Sequence, residues 1–242
     1  MSQSSLFISD LHLDPERDAI NRIFFDFLER RATQADALYV LGDLFETWIG
    51  DDDLTDFNQQ VITALSRYRK KGKQLFFMHG NRDFLLGADF MRQTGGQLLE
   101  DPTQLELYGH KILLLHGDSL CTLDHEYQSF RKTVRSPEWQ HGVLSKPLAE
   151  RRAIAAGMRS ESRDKSMNKS DNIMDVNIPD VINLIEKTKV KYLIHGHTHR
   201  PAVHSITTSF GESTRLVLSD WDKFGHCLKL DQTGFSAETF NV

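Results

Sequence analysis

Leu38-Tyr39-Val40-Leu41-Gly42-Asp43 is the stretch on which the reading of this chain turns: four apolar, β-favouring residues run straight into a glycine and a carboxylate. The arrangement returns four more times. Leu6-Phe7-Ile8 precedes Asp10-Leu11-His12, and Leu75-Phe76-Phe77-Met78 precedes Gly80-Asn81-Arg82-Asp83. Ile112 to Leu115 leads into His116-Gly117-Asp118, and Tyr192-Leu193-Ile194 into Gly196-His197-Thr198-His199. Short apolar runs of this kind predict strands. In open α/β sheets functional groups collect at the carboxyl ends of strands, so five such ends predict one constructed site.

Helical patterns separate the early strands. Ile20, Ile23, Phe24, Phe27 and Leu28 give Arg17 to Arg31 one buried face, and Phe57, Val61, Leu65 and Tyr68 do the same for Asp56 to Lys70. Lys71-Gly72-Lys73 is the stop signal of the second helix. Residues 97–116 read as short strands with a turn at Tyr108-Gly109-His110. Ala202 to Ile206, Thr214 to Ser219 and Cys227 to Leu230 add further strands. The expected fold is α/β, with two facing mixed β-sheets flanked by helices in a single domain spanning 1–242. Residues of about 123–177 break the rhythm. Tyr127, Phe130 and Val134, then Leu148, Arg151, Arg152, Ala155 and Arg159, lie at helical spacing, and Pro137 and Pro147 divide the segment. This predicts a helical insertion between two core strands, a natural origin for a lid.

The chain has 242 residues, 39% hydrophobic and 26% charged, with a formal charge of −5. Such a length buries a sizeable core. No apolar stretch approaches the roughly 20 residues needed to span a bilayer. The first strand begins almost at once, so no secretory leader is expected, and two cysteines, Cys121 and Cys227, fit a reducing compartment. A cytoplasmic protein is expected. Between Arg131 and Lys169 stand ten Lys or Arg against four acids, so this stretch carries +6 and the remainder −11. A basic island in an acidic chain predicts either an anionic partner or a solvated helical face.

Asp10, His12, Asp43, Asn81, His116, His197 and His199 combine carboxylate, amide and imidazole donors, a set suited to Mn²⁺, Fe²⁺ or Zn²⁺. Seven donors exceed what one ion takes, so two ions sharing a bridging carboxylate are expected, with Asp43 as the bridge. Two ions roughly 3.5–4 Å apart hold a hydroxide and polarise a phosphoryl oxygen together.

In order, spacing and strand context these motifs resemble the calcineurin-like metallophosphoesterase superfamily, from Leu6 to Arg200. The resemblance implies that Asp10, His12, Asp43 and His199 hold one metal and that Asp43, Asn81, His116 and His197 hold the other. His195 is not a ligand position in that pattern. Many members carry a histidine after the asparagine, where this chain has Arg82. Arginine stays charged and grips phosphate bidentately but does not protonate a leaving group. This favours a diphosphate substrate, with Asp43, Asn81, Arg82 and His116 as the catalytic set.

The longer runs Leu41 to Asp52, His79 to Gly87, His116 to Thr122 and His195 to Ala202 resemble the UDP-diacylglucosamine hydrolase branch of that superfamily. That resemblance implies Mn²⁺-dependent hydrolysis of a lipid-linked UDP-sugar in lipid A biosynthesis. It also implies a substrate site of Asn81, Arg82, Asp124, Tyr127, Arg159, Ser162, Ser166, Lys169 and His197. Two acyl chains require an apolar groove, and the insertion offers Tyr127, Phe130, Val134, Trp139, Val143, Leu144, Leu148, Ile154 and Met158. The basic island suits peripheral attachment to an anionic inner-membrane surface. No nucleic acid and no obligate protein partner are expected, because a nuclease needs a basic track and the chain outside the insertion is acidic. Open alternatives are a two-metal nucleotide phosphodiesterase and an inert scaffold with the same fold.

Overall fold

The computed structural model describes residues 3–168 and 173–241, and the side chains at 163–172 lie outside the described residues. In chain order the elements are β1 (Ser4–Ile8), α1 (Asp18–Asp26), β2 (Ala37–Leu41), α2 (Asp56–Lys70), β3 (Gln74–Met78) and α3 (Ala88–Thr94). There follow β4 (Gln97–Leu98), β5 (Thr103–Leu107), β6 (His110–Leu114), α4 (His125–Val134), α5 (Pro137–Leu144) and α6 (Leu148–Asn168). The chain ends with α7 (Ile178–Thr188), β7 (Tyr192–His195), β8 (Ala202–Thr208), β9 (Gly211–Val217), β10 (Gly225–Asp231) and β11 (Gly234–Phe240).

The strands form two mixed sheets, in the orders β11-β10-β1-β2-β3-β4 and β5-β6-β7-β9-β8. Strands β1 to β4 run parallel, as do β6, β7 and β9, while the remaining pairings are antiparallel. The apolar runs are continuous because both faces of the central strands are covered. Phe7, Tyr39 and Leu41 point between the sheets, where they meet Ile112, Leu114 and Ile194. Their neighbours Leu6, Ile8, Leu38 and Val40 point outward under α1 and α2, against Phe24, Val61 and Leu65. On the far side Val181 and Ile185 of α7 cover Leu113, Leu115 and Leu193.

Local chemistry sets the ends. Thr55 Oγ1 accepts the Asn58 amide at 3.2 Å and caps α2, while Ser136 caps α5 with Pro137 in the first turn. Tyr108 and Gly109 both have positive φ, which matches a two-residue turn of the twisted β5–β6 hairpin. The helix expected over Arg17 to Arg31 is α-helical to Asp26 and continues as a π-helical turn, Phe27–Arg31. Strand β8 runs on to Thr208, and β9 starts at Gly211. Helices α3 and α7 and strand β11 lie outside the elements expected from the sequence. Among the described residues no helix is long and apolar enough to cross a membrane.

Candidate metal centre and substrate cavity

Both sheets deliver their strand ends to one point. Beyond β1 and β2 the two exit loops stay side by side: Asp10 N donates to Gly42 O, His12 N to Asp43 O and Leu13 N to Leu44 O, at 3.1, 3.0 and 2.8 Å. From the second sheet Gly196 N donates to His116 O at 2.8 Å. Asp10, His12, Asp43, His197 and His199 all have positive φ, between 51° and 68°. Such left-handed backbone costs a non-glycine residue about 1–2 kcal/mol, and it concentrates here on the donors. Glycines let the loops close. A Cβ at Gly80 would collide with Asp43 Oδ1, and one at Gly196 with Ser9 Oγ and Asp10 Oδ2.

Asp43 and Asp10 each have one carboxylate oxygen held and one turned inward. Asp43 Oδ1 accepts the Arg82 amide at 2.8 Å, while Oδ2 lies 3.9 Å from His12 Nε2 and 3.7 Å from His116 Nε2. Asp10 Oδ2 accepts the His197 amide at 2.8 Å, and Oδ1 is buried without a hydrogen-bond partner, 3.4 Å from His199 Nε2. His12 Nε2 and His199 Nε2 stand 3.4 Å apart. On the other side of Asp43, Asn81 Oδ1 is 3.0 Å from His116 Nε2 and 2.9 Å from His197 Nδ1. Asp10, His12 and His199 thus converge as one donor group and Asp10, Asp43 and His116 as another.

The imidazoles are oriented from behind. His116 Nδ1 lies 2.9 Å from Leu41 O, His12 Nδ1 3.0 Å from Glu46 Oε2, and His199 Nδ1 3.6 Å from Asp220 Oδ2. In each case Nε2 is left for the centre, as outer partners of metal-bound histidines arrange it. Without an ion the donors hold protons for one another. Burial opposes its charge, but Asp43, Asp118 and Asp10 still push His116 up to about 9. For Asp43 burial prevails over His116 and His12, so its carboxyl rises to about 6. Burial lowers His197 to about 3, aided by His116. A pocket of converging lone pairs and an orphaned buried carboxylate oxygen fits divalent cations, whose charge replaces those protons.

Four residues that shape this centre were given no role from sequence. Asp83 accepts the amides of Leu44 and Gly80, each at 2.8 Å, and ties the Asp43 loop to the Asn81 loop. Asp118, fully buried, accepts Tyr127 Oη at 2.7 Å and Arg131 Nε at 2.8 Å, and so anchors α4. Both stand inside the motifs quoted above. Glu46 and Asp220 belong to none of the ligand motifs; an acid beside a donor loop is their only signal. His195 is fully buried, with Nδ1 2.8 Å from Gly196 O and Nε2 3.4 Å from Arg215, and it faces no donor group.

A cavity of about 420 Å³ opens beside the centre. Its wall includes His12, Asp43, Asn81, Arg82, Asp124, Tyr127, Arg159, Ser162, His197 and His199. Asp10 and His116 sit behind that wall with no exposed surface. Ser166 and Lys169 lie outside the described residues as far as their side chains are concerned. Tyr127, Phe130, Trp139, Val143, Ile154 and Met158 form the apolar side with Phe84 and Leu85. Three residues expected in the groove are elsewhere. Val134 packs into the core, Leu144 is 41% exposed, and Leu148 is half-buried off the cavity wall. Helical phase explains the first two, since α4 and α5 each turn only one side inward. Asp124 also caps α4, accepting the Tyr127 amide at 3.1 Å.

Among the described residues of the basic island, most of the cations meet this chain's own acids. Arg131 and Arg135 reach Asp118, and Arg135 Nη2 also donates to Gly80 O at 2.9 Å. Arg151 pairs with Asp52 and donates to Ile49 O at 2.8 Å, and Arg152 pairs with Asp53. Arg159 donates to Thr47 Oγ1 at 2.7 Å. Much of the local +6 therefore fastens helices α4 and α6 to the acidic core.

Comparison with known proteins agrees with this geometry. Residues 4–201 match the calcineurin-like phosphoesterase family. A UDP-2,3-diacylglucosamine hydrolase of Cellvibrio japonicus is 46% identical over 99% of this chain and all of its own length. One from Chromohalobacter salexigens is 50% identical over 90% of this chain and 89% of its own. An archaeal phosphodiesterase shares the fold with a TM-score of 0.52 at 10% identity, covering 98% of this chain and 100% of its own. With seven donors at the strand ends of two facing sheets, and full-length relatives near half identity, the chain belongs to the calcineurin-like phosphoesterase family of hydrolases.

Proposed function

We propose that the chain hydrolyses the diphosphate of UDP-2,3-diacylglucosamine, a step of lipid A synthesis, by water attack on the α-phosphorus. The products are UMP and 2,3-diacylglucosamine 1-phosphate. One observation carries the reading: Asp43 Oδ2 stands within 4 Å of imidazoles from both donor groups, beside a cavity with one polar and one apolar wall. Asp10, His12, Asp43 and His199 would hold one divalent ion, and Asp43, Asn81, His116 and His197 a second, with Mn²⁺ our assignment for both. Such ions activate water and neutralise charge developing on phosphorus.

The side chains supply the rest. Arg82 lines the cavity one residue beyond Asn81 and places a fixed positive charge where the diphosphate must lie. Its inability to donate a proton is no handicap when the leaving group is a sugar phosphate. Arg159 adds charge from α6, with Asp124, Tyr127 and Ser162 lining the sugar's place and Ser166 and Lys169 assigned there from the sequence alone. Trp139, Val143, Ile154 and Met158 accept acyl chains, and the α4–α6 segment acts as the lid. Hydrolysis of the UDP-diacyl sugar in Mn²⁺ should release UMP, and EDTA should abolish the release. Metal-independent turnover, or none with this substrate, would overturn the assignment.

A substrate held in a bilayer places the enzyme at the inner-membrane surface. Leu123, Phe130 and Leu144, in and around the first two helices of the lid segment, are 40–50% exposed, and many nearby arginines are already paired. Apolar insertion should therefore carry more of the attachment than charge. Co-sedimentation with anionic vesicles is expected at low salt and should survive in part at 0.5 M salt, where the Debye length is only about 4 Å. Absence of binding at low salt would refute the placement.

A further inference from the structure

We propose that Glu46 is the positioning residue that couples metal binding to the phosphate grip, because its two carboxylate oxygens face the two parts of the machinery separately. Oε2 lies 3.0 Å from His12 Nδ1, and Oε1 lies 3.8 Å from Arg82 Nη1. The proposal rests on the metal reading given above.

The placement of Glu46 is built in by the backbone. Its amide donates to Leu13 O at 3.1 Å, which continues the ladder joining the Asp10–His12 loop to the Asp43 loop. The carboxylate thus keeps a fixed relation to His12, a donor two residues past Asp10. The negative charge beside Nδ1, at ion-pair distance without hydrogen-bond alignment, favours a proton on that nitrogen and leaves the Nε2 lone pair facing Asp43 and His199.

The second oxygen acts on a different part. Arg82 has its Nε buried without a hydrogen-bond partner, so its guanidinium is held from one end only. Glu46 supplies the opposing charge at Nη1. Both side chains line the cavity and are about 27–29% exposed, close enough to solvent for a phosphate to reach the same guanidinium. Arg159, bonded to the adjoining Thr47, brings a second cation to the same loop. A single carboxylate therefore sets the direction of a metal donor and the resting position of a phosphate-binding arginine.

Glu46→Ala and Glu46→Gln separate the two tasks. Mn²⁺ affinity is read by calorimetry on the metal-free protein, and kcat and KM are read at saturating Mn²⁺. Glu46→Ala should weaken Mn²⁺ binding about 10- to 100-fold, the range for lost outer partners of metal ligands. Glu46→Gln keeps an oxygen for His12 but no charge for Arg82. It should bind Mn²⁺ more tightly than Glu46→Ala and show its defect at saturating metal as a raised KM. Wild-type Mn²⁺ affinity in Glu46→Ala overturns the proposal, and so does an unchanged KM in a folded Glu46→Gln. Wild-type protein that binds no Mn²⁺ overturns the metal reading and this proposal together. If Glu46→Ala does not fold, the isosteric Glu46→Gln still decides through its KM.

Discussion

Asp43→Asn should lose hydrolysis by on the order of 10³-fold or more, yet without metal it should melt no lower than the wild type, and a few degrees higher at pH 7. The two halves of this result have one cause. Asp43 is buried, close to the carboxylates of Asp83 and Asp10, and burial outweighs the help of His116 and His12. Its carboxyl therefore rises to about 6, above the value of roughly 4 it has in the unfolded chain. A raised carboxyl value means that the native state binds the proton more tightly. The penalty is absent below about pH 4, grows as pH rises, and is complete above about pH 6. The melting difference between Asp43→Asn and wild type, both without metal, should grow over that window. Asparagine keeps an oxygen for the Arg82 amide and tolerates the φ of 53° at this position. Mn²⁺ should raise the wild-type melting temperature, since a ligand at 100 times its Kd adds about 2.7 kcal/mol, and should raise that of Asp43→Asn far less. Thermal scans with and without Mn²⁺ at pH 5 and 7 check this. A metal-free variant several degrees less stable than wild type would show that the carboxylate holds the fold as well as the site.

The same balance explains what the sequence could disclose. The seven donors are legible because each lies at the end of a strand covered on both faces, so a dense apolar run leads directly to it. The π-helical turn at Phe27–Arg31 is hidden because the apolar residues that set the period end at Leu28, and Glu29-Arg30-Arg31 cannot register the extra residue. Strand β11 is Gly-Phe-Ser-Ala-Glu-Thr-Phe, a half-exposed edge held by pairing with β10 rather than by burial, and carries little apolar pattern. Helix α7 has a strong apolar face, but it directly follows the helical insertion, so its pattern merges with the insertion's own helical spacing.

Charge was harder to read than hydrophobicity. The net sign of Arg131 to Lys169 was visible, but its target depends on where loops far away in the chain come to lie. Arg151 meets Asp52 and Arg152 meets Asp53 across about a hundred residues of sequence. Glu46 and Asp220 were silent for the same reason: their meaning is their distance from an imidazole nitrogen. Motifs report what a backbone turn can present. They do not report what a second turn brings up behind it.

Asp118 is where that hidden layer should show its largest effect on stability. Its Oδ2 is shared by Tyr127 Oη, Arg131 Nε and, at 3.6 Å, Arg135 Nη2, and its side chain has no exposed surface. The nearby His116, Arg131, Arg135 and His197 outweigh its burial and hold its carboxyl well below the usual range. Asp118→Ala strands two guanidinium groups that are 18–21% exposed, with Asp101 as the remaining acid beside Arg131. Breaking a buried pair from one side costs about 3–5 kcal/mol. For a domain of this size that lowers the melting temperature by roughly 6–20 °C. Function should fall with it, because Arg135 holds Gly80 O beside Asn81 and the Tyr127 ring stacks 6.0 Å from that of His197. Replacing the two close partners as well changes the outcome. Asp118→Leu combined with Arg131→Met and Tyr127→Phe removes the carboxylate together with its two hydrogen-bond donors and leaves Arg135 on Gly80 O, and should recover part of the stability while leaving hydrolysis impaired. A single Asp118→Ala variant that melts within 2 °C of wild type would mean that solvent or Asp101 already screens these arginines. In that case α4 would be held to the core by its apolar contacts, and the buried carboxylate would carry no share of the lid's anchorage.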